Sequence, residues 1–367
     1  MEATITKILS ALMSFILALS SFFGVPTGNR IKNVILMIGD GMGENHIAMT
    51  QQIYDDIPLV INTLPQQGYA MTYSASSLIT DSAAGATALA TGVKTNNGVI
   101  GMMPDENGDL YPAKSITEIC RDNGLKTGVI TSDKLTGATP GGFTAHTDDR
   151  DNDTDITAQQ VETDFDIIWG TEDDTITEEQ VTEKGYVYVD TIDEMNALTG
   201  DEKSFAMFTS SVYHTYNKNS YTPTLSQMTA KAIDLLDSTS DNGFFLMVEG
   251  AHIDKKSHNE DEEGAAEALA EFDNAIANAL NFAKRDGSTL VIVTADHETG
   301  GVTLQDDGTY IMTTGSHTSK KVPVRAYSKT YYPFIEENEK INNIDIPKKI
   351  LEALGLSDVT FPCTIVD

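Results

Sequence analysis

The sequence predicts an α/β fold in which a mostly parallel central sheet is flanked by helices on both faces. Two continuous apolar runs, 33–38 and 289–294, are each followed by a turn that carries an acidic residue. Such runs are typical of strands that are buried on both sides in a parallel sheet. Residues 262–285 place apolar side chains every three or four positions, which indicates a long amphipathic helix. Strands that alternate with helices of this kind predict the α/β class.

The other elements are predicted by the same signals in chain order. Further strands are predicted at 126–131, 165–169, 186–189, 244–248 and 322–327. One helix is predicted to begin near Ser82 and another to cover 225–236. Residues 136–150 are rich in Thr, Pro and Gly, so a loop is predicted there. No linker or repeat divides the chain, and we expect one domain over 29–367 that follows a leader at 1–28.

The composition argues against one class of partner. The chain has 367 residues, a formal charge of −31 and a pI of about 4.3. A protein that binds nucleic acid needs a basic face, so we expect no nucleic-acid binding. An anionic substrate would also be repelled, unless metal ions or arginines created a local positive field. The alternative explanation of the acidity is solubility, or a salty or extracellular habitat.

Residues 1–28 have the pattern of an export signal. Lys7 is the only basic residue of this segment, residues 8–25 are apolar apart from scattered Ser, and Ala-Leu-Ser at 18–20 offers a cleavage site. We therefore expect a secreted protein, extracellular or periplasmic. Because the apolar run is long, an uncleaved segment that anchors the chain in a membrane is the alternative. No later stretch is long and apolar enough to span a bilayer.

The two cysteines, Cys120 and Cys363, leave two interpretations open. An exported location permits a disulfide between them. Cys120 lies in an amphipathic helical pattern, however, and Cys363 lies near the C-terminus. Two unpaired structural thiols are at least as good an interpretation, and neither cysteine has the spacing of a metal motif.

Carboxylates and histidines follow three of the predicted strands. Asp40 comes after the first strand, Glu249 ends a later one, and Asp296 with His297 follows the strand at 289–294. Because the carboxyl ends of parallel strands meet at one edge of a sheet, we expect these side chains to converge. For Asp40 alone, a turn residue between two glycines is the alternative.

Asp254 and His258 stand four residues apart, shortly after Glu249, so both side chains share one face of a helical turn. Carboxylate oxygen with imidazole nitrogen suits Zn²⁺, whereas an oxygen-only set suits Mg²⁺ or Ca²⁺. Together with His317 and the strand-end residues, these side chains exceed the ligand set of one metal. The pattern predicts a two-metal centre that hydrolyses phosphoryl or related esters.

Ser82 and Arg150 are the candidates for contact with an anion. Ser82 precedes a run of small helix-forming residues, so it is either a helix cap or a nucleophile at a helix N-terminus. Arg150 is the one cation in an acidic stretch, where it either neutralises a surface loop or clamps a phosphate or carboxylate through two hydrogen bonds. The acidic run at 149–155 lacks the Gly and terminal Glu of an EF-hand loop, which disfavours Ca²⁺.

The chain resembles the alkaline phosphatase family in six stretches that occur in the family's order. They are IGDGMG at 38–43, TDSAAGATALATGVKT at 80–95, ATPGGFTAHTDDR at 138–150, MVEGAHIDKKSH at 247–258, TADHETGG at 294–301 and SHT at 316–318. The resemblance covers essentially the whole chain after residue 30, and it implies hydrolysis of diverse small-molecule phosphate monoesters. A homodimer is expected by analogy only.

The resemblance also implies a role for each matching residue. Ser82 would be the nucleophile that forms a phosphoserine, Arg150 would clamp two phosphate oxygens, and Lys255 would contribute to phosphate binding. The implied ligand sets are Asp254, His258 and His317 for one Zn²⁺, Asp40, Asp296 and His297 for a second Zn²⁺, and Asp40, Thr139 and Glu249 for Mg²⁺.

The sequence departs from the family in two places. Gly137 stands where the family usually carries Asp or His, so we expect a weakened Mg²⁺ site. Lys255 matches a lysine that pairs with that acid in bacterial members, and with Gly137 opposite we expect it to be freer to approach the phosphate. Only 19 residues separate His297 from His317, which implies a small or absent insertion subdomain and an open cleft.

Two other functions compete with a monoesterase. A phosphodiesterase or sulfatase of the same superfamily is the enzymatic alternative, although TDSAAGATA lacks the C/S-x-P-x-R setting of a sulfatase. A non-catalytic protein that binds metal or phosphate at a surface is the alternative from another class. The presence of Ser82, Arg150 and both implied zinc sets argues against it.

Overall fold

The computed structural model describes residues 31–209, 222–363 and 365, so the expected leader at 1–28 lies outside the described residues. A ten-stranded sheet forms the centre of this part of the chain, in the order β16-β2-β15-β10-β1-β9-β5-β6-β8-β7. Its strands are β1 (Asn33–Gly39), β2 (Gln66–Met71), β5 (Lys126–Lys134), β6 (Ile167–Thr171), β7 (Val187–Val189), β8 (Ser204–Phe208), β9 (Phe244–Gly250), β10 (Thr289–Thr294), β15 (Val322–Ser328) and β16 (Lys340–Asn342).

Every neighbouring pair in this sheet is parallel except the two pairs made by β15. The predicted parallel sheet is therefore confirmed. All seven residues of β1 and all seven of β9 are buried. Since both faces of these strands are covered, continuous apolar sequence was needed rather than alternation.

Helices cover the sheet in two separate groups. The helices are α1 (Glu44–Ile53), α2 (Ser82–Thr91), α3 (Ile116–Asp122), α4 (Ala138–Thr144), α5 (Asp153–Gln160), α6 (Glu178–Glu183), α7 (Ile192–Ala197), α8 (Leu225–Ser238), α9 (His252–His258), α10 (Glu262–Asp286) and α11 (Asp345–Leu354). In one group α10 packs on α1, α8 and α9 and against β9 and β10. In the other, α2 packs on α3, α4 and α11. The sheet lies between these layers, as the α/β class requires.

The helix ends follow local chemistry that is visible in the sequence. Asp261 caps α10 by accepting from Gly264 N at 2.9 Å, and Gly287 ends the helix in the left-handed conformation with φ 86°. Thr224 and Gln227 form a capping box at the start of α8. These signals explain why the predicted helices 225–236 and 262–285 are confirmed to within two residues at each end.

The prediction of a loop across 136–150 is wrong in its central part, where α4 forms. Pro140 lies in the first turn of α4, where a missing N–H costs no helical hydrogen bond. Gly142 lets α4 pack closely on α2, because a Cβ at this position would lie 3.0 Å from Ala86 Cβ. The whole helix is buried, so packing on α2 outweighs its poor intrinsic propensity.

The segment between His297 and His317 is small, as expected. It contains two short antiparallel ribbons: β11 (Glu298–Thr299) with β14 (His317–Thr318), and β12 (Thr303–Leu304) with β13 (Tyr310–Ile311). A third ribbon, β3 (Met102–Pro104) with β4 (Leu110–Pro112), lies elsewhere in the chain. The β11–β14 register places Thr299 opposite His317 and so returns the second histidine to the first.

Cys120 and Cys363 are both free, which agrees with the interpretation of two unpaired thiols. Cys120 is fully buried, and burial raises the pKa of its thiol. Across the described ranges, no helix combines the length and the apolar character that a membrane crossing requires.

Candidate active site at the carboxyl edge of the sheet

The ends of four neighbouring strands, β10, β1, β9 and β5, build the site. Ile38 of β1 faces Thr294 of β10 on one side and Glu249 of β9 on the other, so these strands end level with each other. Asp40 and Asp296 follow directly and leave the sheet at the same edge. The predicted convergence of the strand ends is confirmed, and its cause is the shared direction of parallel strands.

Gly41 allows the tip of β1 to approach its neighbours. Its φ is 70°, and a Cβ there would lie 2.8 Å from Thr299 Oγ1 and 2.9 Å from Asp254 Oδ1. Glycine alone adopts this conformation without strain and leaves the space open. Its N–H donates to Asp296 Oδ1 at 3.2 Å, which links the segment after β1 to the segment after β10.

One aspartate and three histidines form a compact group that we call the histidine cluster: Asp254, His258, His297 and His317. His258 Nε2 lies 3.3 Å from Asp254 Oδ2, and His317 Nε2 lies 3.6 Å from Asp254 Oδ1. The Nε2 atoms of His258 and His317 are 3.1 Å apart. The rings of His297 and His317 stack with their centroids 3.7 Å apart. Ligand atoms of Asp254, His258 and His317 therefore point into one small volume, as in a metal site.

The partners of the Nδ1 atoms show which ring nitrogens carry lone pairs. His258 Nδ1 lies 2.8 Å from Gly315 O, and His317 Nδ1 lies 3.0 Å from Thr80 O. A carbonyl only accepts, so each Nδ1 donates and each neutral ring turns its Nε2 lone pair inward. The hydrogen bond to Asp254 raises the pKa of His258 to about 9. In the metal-free protein, His258 therefore carries a proton on Nε2 as well, and a divalent cation bound there would displace this proton.

His297 is oriented by a hydroxyl in the same way. Its Nδ1 lies 3.2 Å from Thr299 Oγ1, which itself donates to Asp254 Oδ1 at 2.5 Å. The hydroxyl has one hydrogen, so it accepts from Nδ1 and leaves the lone pair on Nε2. Burial lowers the pKa of His297 to about 3 and keeps the ring neutral. Although burial opposes ionisation of Asp254, its contacts with His258 and Thr299 hold its pKa below the ordinary value.

His297 Nε2 faces two buried carboxylates. It lies 3.4 Å from Asp40 Oδ1 and 3.3 Å from Asp296 Oδ2. Within the described part of the chain, neither oxygen has a hydrogen-bond partner. Burial and the neighbouring carboxylates raise the pKa of both acids well above the ordinary value. Buried carboxyl oxygens without donors are costly, and a cation held between them and the imidazole would satisfy all three groups.

Ser82 begins α2 beside this acid–imidazole group. Its Oγ lies 3.0 Å from His297 Nε2. The cap of the helix is the preceding residue, Asp81, which accepts from Ala84 N at 3.0 Å. Asp81 also accepts from Arg150 Nη1 at 3.1 Å. Because Asp81 performs the capping, the Ser82 hydroxyl is left for chemistry, with the partial positive charge of the helix end and Arg150 close by.

A second group consists of oxygen ligands, and we call it the oxygen cluster: Thr131, Thr139 and Glu249. Thr131 is opposite Glu249 in the β5–β9 register, and its hydroxyl donates to the carboxylate. The buried Thr139 Oγ1, in the first turn of α4, has no well-formed hydrogen bond within the described ranges. Burial raises the pKa of Glu249 to about 7, against the opposing effect of the Thr131 hydroxyl. Such a set suits a hard cation.

The expectation that Lys255 lacks an acidic partner is wrong. Lys255 forms an ion pair with Asp133, which lies near the end of β5. Gly137, where an acid was missing from the sequence pattern, is the residue that precedes α4. Asp133 stands four positions before Gly137, and its carboxylate supplies the negative charge that Gly137 lacks. Lys255 is therefore held by Asp133 rather than free.

The structure groups the predicted ligands in a partly different way from the expectation. Asp254, His258 and His317 place ligand atoms within 4.8 Å of one another, as predicted. A second group within the same distance is Asp40, Asp254 and His297. Asp296 approaches this group through its 3.3 Å contact with His297. Asp254 belongs to both groups, so it couples the two positions.

Four residues of the site were missed from the sequence: Asp81, Thr131, Asp133 and Thr299. Asp81 was missed because the cap was sought at Ser82. Thr131 and Asp133 lie at the end of a predicted strand, and the strand-end rule used for the other ligands would have found them. Thr299 orients His297 and Asp254, and hydroxyls in this role carry no sequence signal of their own.

The fold and the site define an α/β protein with a serine and clustered metal-ligating side chains at the carboxyl edge of its sheet. A family model described as alkaline phosphatase matches residues 31–168 and 157–349. The chain belongs to the alkaline phosphatase family.

Named relatives and solved structures agree with this family. Alkaline phosphatase 4 of Bacillus subtilis is 36% identical over 301 residues, which are 76% of this chain and 64% of that protein. Alkaline phosphatase of Escherichia coli is 33% identical over 333 residues, 72% of this chain and 70% of that protein. The structure of alkaline phosphatase from the Antarctic bacterium TAB5 superposes with a TM-score of 0.74 at 29% identity, covering 90% of this chain and 99% of that one. The chain thus spans less than two thirds of its Bacillus relative.

Proposed function

We propose that this protein hydrolyses phosphate monoesters through a phosphoserine at Ser82. The observation that carries the proposal is the position of Ser82 Oγ, 3.0 Å from His297 Nε2 and at the N-terminus of α2. The hydroxyl is free of capping and faces the metal-ligating side chains. The proposed domain is 29–367, after an export signal at 1–28, and the N-terminal sequence pattern supports a location outside the cytoplasm.

Two zinc ions fit the observed donor atoms. One would be held by Asp254, His258 and His317, and the second by Asp40, Asp296 and His297. The converging Nε2 lone pairs and the unpartnered carboxyl oxygens support these assignments. When bound, the ions would supply Lewis acidity that lowers the pKa of the serine hydroxyl and of water and stabilises the entering and leaving oxygens.

The chain's own residues carry the two displacements. Ser82 Oγ loses its proton to solvent and attacks phosphorus, while the bond from phosphorus to the leaving alkoxide breaks and that oxygen takes up a proton. Water then loses a proton and attacks the phosphoserine from the side that the alcohol has left. The bond between phosphorus and Ser82 Oγ breaks, Ser82 Oγ takes up a proton, and inorganic phosphate is released. Arg150, which forms an ion pair with Asp81, would bind two phosphate oxygens. The N–H groups at the start of α2 assist it.

A third ion, Mg²⁺, fits the oxygen donors of Asp40, Thr139 and Glu249. The unpartnered Thr139 Oγ1 and the all-oxygen donor set support this assignment. A variant of the TAB5 enzyme has been solved with Mg bound in what is called its M3 site. The expected substrates are small-molecule monoesters of varied structure, since only short ribbons surround the site between His297 and His317. A homodimer remains a proposal by analogy.

The test is to trap the phosphoenzyme. The full chain, loaded with Zn²⁺ and Mg²⁺, is mixed with p-nitrophenyl phosphate and quenched in acid, and the peptide that contains Ser82 is examined by mass spectrometry. We expect phosphate on Ser82 of the wild type. In Ser82→Ala we expect no phosphate label and only a small residual rate. Ser288→Ala, at a serine on the opposite end of the sheet, is the matched control and should keep both the phosphate label and the rate.

Parallel assays decide between the monoesterase and the related hydrolases. Bis-p-nitrophenyl phosphate and p-nitrophenyl sulfate are tested under the same conditions. A faster rate with the diester or the sulfate than with the monoester would overturn the proposal. A zero rate with all three in the metal-loaded protein would favour a binding protein instead.

A further inference from the structure

Glu298 joins the two segments that follow the candidate zinc ligands His297 and His317. It comes directly after His297, and its carboxylate accepts from the hydroxyl of Thr318, which comes directly after His317. The two histidines belong to different proposed zinc sets, and their rings stack with the centroids 3.7 Å apart. One side chain therefore connects the backbone that carries one zinc set to the backbone that carries the other.

The carboxylate of Glu298 is buried, and both of its oxygens have donors. The side chain is 1% exposed. Oε1 accepts from Val302 N at 3.0 Å and lies 3.5 Å from Lys320 Nζ, while Oε2 accepts from the Thr318 hydroxyl. Because a buried carboxylate is costly without donors, these contacts hold the side chain in one position.

The ribbon that Glu298 supports is too short to fix its own geometry. β11 and β14 contain two residues each, so their register has only two residue pairs. Even a longer two-stranded ribbon is marginally stable by itself. On its other side, Glu298 packs on the segment after β1, where a Cβ at Gly43 would lie 2.5 Å from Glu298 Cγ. The side chain thus fills a gap between this segment and the ribbon.

We propose that Glu298 is a positioning residue whose length, rather than its charge, sets the placement of His297 relative to His317. This inference rests on the zinc sites of the proposed function. A shorter side chain would not reach Val302 N and the Thr318 hydroxyl together, so β14 would shift against β11. Both imidazoles would then lose their orientation, and both zinc positions would weaken together.

Two variants of Glu298 separate length from charge. Glu298→Asp keeps the charge but removes one methylene, and we expect it to lower zinc affinity at both positions by roughly 10–100-fold, as the loss of ligand-orienting groups does. Glu298→Gln keeps the length, accepts from Val302 N through its oxygen and donates to Thr318 Oγ1 through its amide. Here we expect a loss of less than about 5-fold, the effect of an ion pair with a half-exposed lysine.

Two further variants test the contact from the other side and supply the control. Thr318→Val removes the donor to Oε2, and we expect one zinc equivalent to bind roughly 10-fold more weakly, because His317 follows the shift of Thr318. Glu262→Asp is the matched control. Glu262 also accepts a backbone N–H, that of Met312 at 3.0 Å, but it lies in the first turn of α10. We expect this control to keep both affinities.

Equilibration of the metal-free full chain against a series of chelator-buffered Zn²⁺ concentrations measures both affinities without substrate. The visible absorption of the Co²⁺-loaded protein reports the geometry of the ligands. In Glu298→Asp we expect a changed spectrum as well as weaker binding, whereas a loss of general stability alone would leave the spectrum of the loaded protein unchanged. Circular dichroism shows whether each variant is folded.

The order of the variants decides the outcome. Weak binding by Glu298→Asp, with nearly normal binding by Glu298→Gln and Glu262→Asp, supports the inference. The reverse order of the two Glu298 variants, an unchanged Co²⁺ spectrum, an equal loss in the control, or fewer than two zinc equivalents in the wild type would overturn it.

If Glu298→Asp does not fold, Thr318→Val decides, and an unchanged zinc affinity in that variant would overturn the inference. Because these measurements need no substrate, they can succeed when trapping of phosphate on Ser82 fails. The inference and the proposed function are therefore tested separately.

Discussion

The histidine cluster and the oxygen cluster lie at the same edge of one sheet but are built differently. In the histidine cluster, each ring is oriented by an oxygen acceptor behind it: Gly315 O, Thr80 O or the Thr299 hydroxyl. In the oxygen cluster, the register of two adjacent strands places Thr131 opposite Glu249. Segments behind the rings orient the first cluster, whereas in the second the sheet register brings Thr131 to Glu249.

This difference has a consequence for metal selection. Imidazole nitrogens with defined lone pairs beside Asp254 favour zinc, whereas hydroxyl and carboxylate oxygens favour a harder ion. Asp40 connects the clusters, because the charges of Asp254 and Glu249 both raise its pKa, after burial and Asp296. Changes in one cluster should therefore affect mainly its own metal, and changes at Asp40 should affect both.

The largest effect is expected from His317→Ala. Loss of one of the three ligands should remove about one zinc equivalent and lower kcat/KM for p-nitrophenyl phosphate by more than ~10²-fold, since groups that only orient ligands are already worth roughly 10–100-fold. Zinc content after dialysis and steady-state rates measure this. His146→Ala is the control, because His146 also contacts a carboxylate, Glu118, but lies away from the site. Full zinc content in His317→Ala would contradict the assignment.

Thr299→Val tests the orientation of the histidine cluster from behind. The variant keeps the volume but removes the donor to Asp254 and the acceptor for His297 Nδ1. We expect zinc affinity to fall by roughly 10–100-fold with Mg²⁺ affinity little changed. Competition with a zinc chelator measures the first quantity. Thr303→Val, at an exposed threonine in the same segment, should behave as the wild type; an equal loss there would show a general packing effect.

Glu249→Gln tests whether the oxygen cluster can be separated from the histidine cluster. Because the carboxylate charge is lost and the shape is kept, we expect Mg²⁺ binding to be lost, zinc content to be retained and the rate to fall about 10-fold. Metal analysis and Mg²⁺ titration of the rate measure these outcomes. Loss of zinc in the same proportion as Mg²⁺ would show that the two clusters form one inseparable unit.

The smallest effect on activity is expected at a histidine that supports the site without facing a metal position. His46 is fully buried, accepts from Gly43 N at 3.0 Å and contacts Ser257 Oγ at 3.0 Å. Burial lowers its pKa to about 3 from an ordinary value of 6.5. Between these pH values the unfolded chain binds the extra proton, so this residue makes stability fall as pH drops below about 6.5, by up to ~1.4 kcal/mol per pH unit.

His46→Asn removes this dependence and keeps an acceptor for Gly43 N. Denaturant unfolding of the protein, freed of metal with a chelator, at several pH values between 7 and 4.5 measures the pH dependence of stability. After subtraction of a pH-independent cost for altered packing, the variant should lose less stability on acidification than the wild type. Parallel curves for the two proteins would show that His46 does not contribute.

Much of the fold could be read from local sequence because the strongest signals are unambiguous. Residues 289–294 were predicted and found as β10 without any change of bounds, since a buried parallel strand requires uninterrupted apolar residues. The segment 136–150 was mispredicted, because α4 is stabilised by contact with α2 and not by its own propensity. The antiparallel direction of β15 also follows from its connection and has no local signal.

The candidate histidine ligands could be predicted for a statistical reason, whereas Thr131 and Asp133 beside Glu249 were not predicted. The chain has 7 histidines but 55 acidic residues, so a histidine at a strand end is informative and an aspartate is not. Sequence alone predicted the α/β class, the nucleophile candidate Ser82 and the candidate imidazole ligands. The tertiary structure decided that Asp81 frees Ser82 from capping and that Asp133 pairs with Lys255. These last two depend on distances between separate segments, and only packing sets such distances.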